Sequence, residues 1–178
     1  MFKPVAYDAD PEARYIVDML DAETFKYPAQ VIVQGYLKSV PLNSLRVRIE
    51  NYRRAIFTRQ SSWDKRRIRA WRLPLWLGYV LLSLCRGRVV YKTRYHHLFW
   101  RIDVFSHELK GLVTAECKLK DQDRAMQELP RMHLNKDVSS WLNNQHLASL
   151  VNELHLHPVR GSIRQYICER FMPSALDD

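Results

Sequence analysis

Apolar and polar residues alternate along most of the chain as far as residue 119. A period of two places every second side chain on the same face of a strand, so this pattern predicts β-strands with one apolar and one polar face. Turn sequences such as SVPLN and SHELKG separate the alternating segments. Eight strands are predicted, near residues 11–17, 30–38, 44–50, 53–60, 66–73, 89–96, 98–105 and 111–119.

Three segments have a different pattern and predict helices. The uncharged segment 73–85 would extend only about 20 Å as a helix, too short to cross a bilayer, so we predict a buried helix. After Asp137, a plausible N-cap, apolar residues recur at helical spacing, and SIRQYICERF predicts a second helix beyond Gly161. We predict an α+β fold with two parts. An eight-stranded antiparallel β-barrel, or tunnel, with flanking helices occupies residues 1–136, and a C-terminal helical segment, residues 137–178, packs on it.

The polar faces of the predicted strands are rich in cations. Arg46 and Arg48 alternate with apolar residues in SLRVRIE, as Lys92 and Arg94 do in VVYKTRY. Burying an unpaired charge costs several kcal/mol, so an interior holding these side chains must be hydrated, paired or filled by an ionic ligand. Cations outnumber carboxylates, which predicts an anion. The full inward set is Arg46, Arg48, Thr58, Gln60, Arg72, Lys92, Arg94, Arg101, Asp103, Thr114, Glu116 and Lys118.

Composition agrees with a polyanionic partner. The formal net charge is +9 and the pI about 9.6, which favours phosphate, nucleotide or nucleic acid, while a hydrophobic content of 47% argues against disorder. The three cysteines, Cys85, Cys117 and Cys168, lie in apolar runs, and we predict that they are reduced and buried. The N-terminus has no apolar run that would mark secretion, so we predict a cytoplasmic protein.

The order of several short motifs resembles the CYTH family, also called triphosphate tunnel metalloenzymes. The match extends from about Asp10 to Ala148. It consists of QGYL (34–37), RVR (46–48), LLSLCRG (81–87), KTRY (92–95), Trp100 with DVF (103–105), GLVTAE (111–116), ELP (128–130) and NNQHLA (143–148). The resemblance implies an eight-stranded tunnel in which inward basic residues bind a triphosphate and inward carboxylates hold Mg²⁺ or Mn²⁺. Members of that family hydrolyse tripolyphosphate, nucleoside triphosphates or thiamine triphosphate, and some cyclise ATP.

Carried over residue by residue, the resemblance implies three sets of site residues. The residues that bind phosphate would be Arg14, Arg46, Arg48, Arg72, Lys92, Arg94, Arg101 and Lys118. The metal ligands would be Asp10, Glu12, Asp103 and Glu116, and the catalytic residues Glu12, Asp103 and Glu116.

The chain departs from the family where a metal would bind. The opening Glu-x-Glu-x-Lys of the family corresponds to residues 10–14, Asp-Pro-Glu-Ala-Arg. Its acidic strand corresponds to Ile68, Ala70 and Arg72, and Arg101 and Lys118 stand where the family has acids. Magnesium needs only one or two protein carboxylates, so a depleted site for Mg²⁺ or Mn²⁺ remains a prediction.

Several functions stay open at this point. The chain could be a metal-dependent triphosphatase or a non-catalytic sensor of a nucleotide or polyphosphate, with adenylate cyclase less favoured than either. Lys92 and Arg94 could also pair with Asp103 and Glu116 as a structural network. The basic hairpin at 51–72, with Trp63 and Trp71 interleaved, could bind nucleic acid, although a solvated hairpin is the simpler interpretation. We predict no membrane partner and leave homo-oligomer formation open.

Overall fold

Ten strands of the described chain form one antiparallel sheet in this computed structural model, which describes residues 3–5, 12–37, 43–61, 68–130, 132–139, 142–156 and 161–171. The strands are β1 (Lys3–Val5), β2 (Glu12–Leu20), β3 (Ala29–Tyr36), β4 (Asn43–Glu50), β5 (Arg54–Ser61), β6 (Ile68–Leu73), β7 (Val89–His97), β8 (Trp100–Phe105), β9 (Val113–Lys118) and β10 (Met132–Asp137). The order across the sheet is β1-β6-β5-β4-β3-β7-β8-β9-β2-β10.

Four α-helices accompany the sheet in the part of the chain that is described. They are α1 (Leu75–Ser83), α2 (Gln122–Gln127), α3 (Asn144–Leu156) and α4 (Ile163–Phe171). Short 3-10 segments occur at Ala22–Lys26, His107–Leu109 and Leu119–Asp121.

All eight predicted strands are present, as β2 to β9, and the α+β class with an antiparallel sheet is confirmed. Two strands were missed because their sequences lack a usable period. β1 has only three residues. β10 pairs with β2 through two register shifts, one at His133/Leu134 and one at Leu134/Lys136, and such irregularities disturb the alternation of side chains.

The prediction of a closed eight-stranded barrel is not met by the strand pairing. Closure requires the first and last strands of the order to hydrogen-bond, but β1 and β10 form the two edges of the sheet in the described residues. β1 pairs with β6 alone and β10 with β2 alone, so these two added strands extend the sheet at either end. The ten-stranded sheet has two faces. The face that carries Arg46, Arg48, Lys92, Arg94 and Asp103 is here named the charged face, and the opposite one the outer face.

Helix α1 covers the outer face over β3, β4 and β5, at the position predicted for the uncharged segment. The prediction that this helix is buried is wrong, because only the side that faces the sheet is covered. Its leucines pack on a cluster that includes Val33, Ile49, Ala55 and Leu73. Gly78 makes the contact close: a Cβ atom built there would lie 2.6 Å from the Cβ of Ala55. The absence of a side chain at Gly78 lets the helix backbone approach the strand.

Gly78→Ala is expected to lower the free energy of unfolding by about 1–3 kcal/mol, because the new methyl group overpacks the contact with Ala55. This loss should outweigh the helix propensity of alanine, which favours it over glycine by roughly 1 kcal/mol. Urea unfolding measures the change. Ser83→Ala, on the exposed side of the same helix, is the control and should change stability by less than about 0.5 kcal/mol. An unaltered or increased stability of Gly78→Ala would contradict the close packing.

Helices α3 and α4 pack on the charged face. Buried residues of α3, among them Leu147 and Val151, share a core with Val90 and Phe105, which are strand residues of that face. Ile163 and Ile167 of α4 join the same core, as the predicted second helix requires. Strand and helix residues thus bury one another. The proposed division into two domains at residue 136 stays a prediction.

The predicted N-cap at Asp137 is wrong. Asp137 ends β10, and its Oδ1 atom accepts a hydrogen bond from the backbone N–H of Ser139 at 2.8 Å. Helix α3 begins at Asn144, and the side chain of Asn143 accepts from the N–H groups of Gln145 and His146, both at 2.9 Å. Asp and Asn are equally good N-caps, so the apolar spacing around them could not decide which one begins the helix.

Two of the three cysteines are described as free and buried, Cys85 and Cys117, in agreement with the prediction. Burial raises the pKa of the Cys85 thiol to about 11. The side chain of Cys168 lies outside the described residues.

Candidate polyanion-binding site

Strand register places the predicted polar side chains on one face of the sheet. Residues directly opposite each other in adjacent strands point to the same side. The register pairs Arg46 with Thr58, Arg48 with Gln34 and Arg94 with Asp103. It continues across β8, β9 and β2, where Glu116 is opposite both Arg101 and Arg14. Together with the period of two, these pairs place Gln60, Arg72, Lys92, Thr114 and Lys118 on the same charged face.

The centre of the charged face is a buried carboxylate held by two cations. Asp103 is fully buried. Its Oδ2 atom lies 2.5 Å from the Nζ atom of Lys92, and both carboxylate oxygens accept hydrogen bonds from Arg94, at 2.6 and 2.7 Å. This two-point contact matches the planar guanidinium to the carboxylate and fixes both side chains.

Glu116 forms a second buried centre beside the first. Arg94 reaches its Oε2 atom at 3.1 Å, so one arginine joins Asp103 and Glu116. Arg14 donates from Nε to the Oε1 atom of Glu116 at 2.8 Å, and its NH2 atom lies 2.6 Å from the same oxygen. The alternative in which Lys92 and Arg94 pair with Asp103 and Glu116 is therefore what the described structure contains.

The segment that leads into α3 completes this network. Asn144 accepts a hydrogen bond from the Nζ atom of Lys92 at 2.9 Å. Arg14 donates to the backbone carbonyl of Leu142, and its own backbone N–H donates to the hydroxyl of Ser139 at 2.7 Å. The start of α3 thus covers the carboxylate half of the charged face, which consists of the inward residues of β2, β7, β8 and β9.

Glu12, the remaining described acid of the carboxylate half, is also paired. Arg101 forms an ion pair with Glu12 and lies 4.0 Å from Glu116. Lys118 is opposite Glu12 in the register. Asp10 lies outside the described residues.

The predicted metal ligands do not form a metal centre among the described residues. Glu12, Asp103 and Glu116 each have an arginine or lysine at hydrogen-bond or ion-pair distance. No group of three or more His, Cys, Asp or Glu side chains there is arranged to hold a metal ion. Mg²⁺ prefers carboxylate and water oxygens, and these oxygens already accept from cationic donors. The described donor set therefore does not fit a divalent cation.

Burial and neighbouring charges shift the pKa values of the buried acids in opposite directions. Burial alone would raise the pKa of Asp103, but Lys92 and Arg94 outweigh it and hold that pKa well below its usual range. Burial likewise opposes ionisation of Glu116, and Arg14 and Arg94 outweigh it, so its pKa is also lowered. Burial lowers the pKa of Lys92 to about 8, against the attraction of Asp103.

The pKa shifts of Asp103 and Glu116 predict a loss of stability in acid. Unfolded carboxyl groups titrate near pH 4, so the unfolded chain binds more protons than the folded one below that pH. The stabilisation by these two groups is present above about pH 4 and should decline as the pH falls further toward their folded pKa values. Urea unfolding between pH 7 and pH 2 measures this. Glu116→Gln should flatten the acid limb; an acid limb as steep as that of the unaltered chain would contradict the assignment.

The other half of the charged face, on β4, β5 and β6, has a different balance and is named the arginine half. Arg46 and Arg48 project from β4, and Arg72 is exposed on β6. The Nε atom of Arg48 donates to the Oε1 atom of Gln34 at 3.1 Å, and its NH1 atom lies 3.7 Å from Glu50. Thr58 is buried beside them and Gln60 half-buried.

A buried hydroxyl also faces this side of the sheet. The Oγ1 atom of Thr114 is inaccessible and has no hydrogen-bond partner in the part of the chain described. Buried polar groups are satisfied in nearly all proteins, by protein, water or ligand. Thr114 lies opposite Asp103 in the register, so the unsatisfied hydroxyl is next to the buried network.

Sequence reasoning missed three polar contributors to the charged face. Glu50 continues the alternation of Arg46 and Arg48, and Gln34 and Tyr36 alternate in VQGY, so the period of two could have identified all three. Gln34 is fully buried and donates to the hydroxyl of Tyr36. Asn144 has no strand period and lies in the NNQHLA motif, but its contact with Lys92 depends on where α3 packs.

The described part of the basic hairpin favours the simpler interpretation. Trp71 stacks on Phe57 with ring centroids 6.1 Å apart, so one of its faces is already covered. Trp63 lies outside the described residues. Nucleic-acid binding through this hairpin stays a prediction.

The described fold is similar to that of an inorganic triphosphatase, in agreement with the resemblance that the sequence motifs indicated. The chain is similar to the crystal structure of the inorganic triphosphatase NE1496, with 25% identity and a TM-score of 0.59 over 77% of this chain and 95% of that one. A second crystal structure, described as the hypothetical protein NE1496, gives 24% identity and a TM-score of 0.60 over 78% and 97%. Comparisons with protein-family models and with curated proteins found no match.

Proposed function

We propose that the chain binds a triphosphate-type polyanion, tripolyphosphate or a nucleoside triphosphate, on the charged face without requiring a divalent metal. The observation that carries this proposal is the division of the face. Asp103 and Glu116 are buried and neutralised by Arg14, Lys92 and Arg94. In the arginine half, by contrast, Arg46, Arg48 and the exposed Arg72 lie with one described carboxylate, Glu50. The similarity to an inorganic triphosphatase supports the same class of ligand.

The proposed contacts follow from the chemistry of the side chains. Arg46 and Arg48 are two residues apart on one strand, so their guanidinium groups can bind successive phosphoryl groups of a chain along β4. Arg72, two strands away, adds charge from β6. Gln60 and Thr58 supply neutral donors between them. Extra cations in this arrangement neutralise phosphate charge directly, a task that a metal performs in many nucleotide sites.

Calorimetric titration with tripolyphosphate tests the proposal. Binding should be retained in excess EDTA, with a dissociation constant within about threefold of that measured with Mg²⁺, since a threefold change is less than about 1 kcal/mol. Loss of binding on chelation would overturn the metal-independent site. Absence of binding under both conditions would overturn the polyanion site itself.

Hydrolysis of the same ligand with Mg²⁺ or Mn²⁺ is the second candidate. It is favoured by the similarity to NE1496, which is described as an inorganic triphosphatase. The described geometry opposes it, because the carboxylates that the family resemblance assigns to metal binding and catalysis accept from cations. Release of phosphate from tripolyphosphate or a nucleoside triphosphate, dependent on metal and lost in Glu116→Gln, would support hydrolysis. If neither metal supported release of phosphate, hydrolysis would be excluded and the non-catalytic sensor would remain as the function.

A further inference from the structure

Helix α1 is apolar on every side, although only one side contacts the sheet. Leu75, Leu77, Leu81 and Leu82 pack on the outer face, and Gly78 lies against Ala55. At 100° per residue, positions 76, 80 and 83 lie roughly opposite Gly78. Solvent therefore meets a second apolar surface. Trp76 is 68% exposed, Tyr79 45%, Val80 48% and, just beyond the helix, Leu84 58%.

Exposed cations follow α1 in the chain and lie on the same face of the sheet. Arg86 is exposed two residues after Leu84. Arg59 and Arg69 are exposed and lie directly opposite each other on β5 and β6. Alternation places them, with Phe57 and Trp71, on the outer face, which is the face on which α1 packs. The sequence adds to the asymmetry, since it contains no Asp or Glu from residue 65 to residue 102.

The charge on this surface discriminates between the partners that could cover it. A second copy of the chain would bring a surface with the same arginines against itself, in a molecule of net charge +9, and like charges repel. An anionic lipid surface complements both features, because its headgroups attract the arginines and its boundary region accepts apolar side chains. Tryptophan and tyrosine are moreover the residues that are enriched at such a boundary.

We propose that α1, together with the exposed arginines of the outer face, docks the protein on an anionic lipid bilayer. The helix lies along the surface, with Trp76, Tyr79 and Val80 inserted and Arg59, Arg69 and Arg86 against headgroups. No helix in the described residues is long and apolar enough to cross a membrane. The sequence-based expectation of no membrane partner depended on that length, which does not limit a helix lying in the interface.

Flotation of the full-length chain with lipid vesicles tests the docking. The chain should float with phosphatidylcholine vesicles that contain phosphatidylglycerol, not with phosphatidylcholine alone, and added salt should weaken the association. Trp76→Ser with Val80→Ser should reduce vesicle binding at least about tenfold. The matched control is Met19→Ser, which removes an apolar side chain that is 69% exposed on β2, and it should bind vesicles as the unaltered chain does.

Three results would overturn the docking proposal. They are absence of binding to the anionic vesicles, equal binding by the double variant, and a dimer in light scattering that the double variant dissociates. The last result would assign the surface to a second copy. Titration of the double variant with tripolyphosphate separates this proposal from the polyanion site: its affinity should be unchanged, because α1 lies on the outer face and the arginine half on the charged face.

Discussion

Asp103→Asn is expected to lower the free energy of unfolding by about 3–5 kcal/mol, the cost of leaving buried charges without their partner. Asp103 is fully buried and bonds to both Lys92 and Arg94. Asparagine has nearly the same shape but no charge, so the two cations would share only Glu116 and neutral acceptors. In a chain of this length the melting temperature should fall by roughly 6–20 °C. Urea and thermal unfolding, each followed by circular dichroism, measure the change.

The control for this variant is a carboxylate whose ion pair lies in solvent. Glu23 pairs with Lys26 at 3.5 Å, and both side chains are more than half exposed. Glu23→Gln should change the free energy of unfolding by less than about 0.5 kcal/mol, as exposed pairs three residues apart contribute little. If Asp103→Asn were as mild as Glu23→Gln, the carboxylate half would not be a buried network.

The strands were predictable because their evidence is local. Arg46 and Arg48 alternate with apolar residues, and Lys92 and Arg94 do so again, so the period of two located each strand and assigned its faces. Register then placed all four on the same side of the sheet. The edges of the sheet were not predictable in this way, since β1 is short and β10 is irregular.

The pairing inside the site could be anticipated only as one of several alternatives. The sequence shows that Asp103 and Glu116 share a face with Lys92 and Arg94, but not whether water, metal or cation fills the space between them. That choice depends on how much of the face is covered. Packing of α3 removes water from the carboxylate half, and a buried acid must then find a charged partner.

The packing of α3 over the carboxylate half also explains why the two halves of the charged face differ. Asn144 and the carbonyl of Leu142 occupy donors of Lys92 and Arg14, and apolar residues of α3 exclude solvent around them. Arg14, Lys92 and Arg94 there pair with buried acids and so stabilise the fold. Arg72, in the arginine half, remains exposed and can meet a ligand that arrives from solvent. Stability and ligand binding should therefore respond to different substitutions on the same face.

Arg46→Gln and Arg48→Gln should each weaken tripolyphosphate binding by roughly 10- to 100-fold, with little change in melting temperature. A charge-assisted hydrogen bond contributes about 1.5–3 kcal/mol, and each arginine can supply at least one to phosphate. Glutamine keeps a donor, so the bond from position 48 to the buried Gln34 can still form.

Arg69→Gln is the matched control for these two variants, because it removes an exposed arginine from the opposite face of the same sheet. Calorimetric titration in EDTA should show near-normal affinity for it and reduced affinity for the two charged-face variants. Equal weakening by all three would mean that tripolyphosphate senses net charge and not a defined site, since nonspecific attraction depends on total charge more than on its position. A difference between the faces, in contrast, requires that the polyanion contact β4 directly, because Arg46 and Arg48 are separated from Arg69 by the thickness of the sheet.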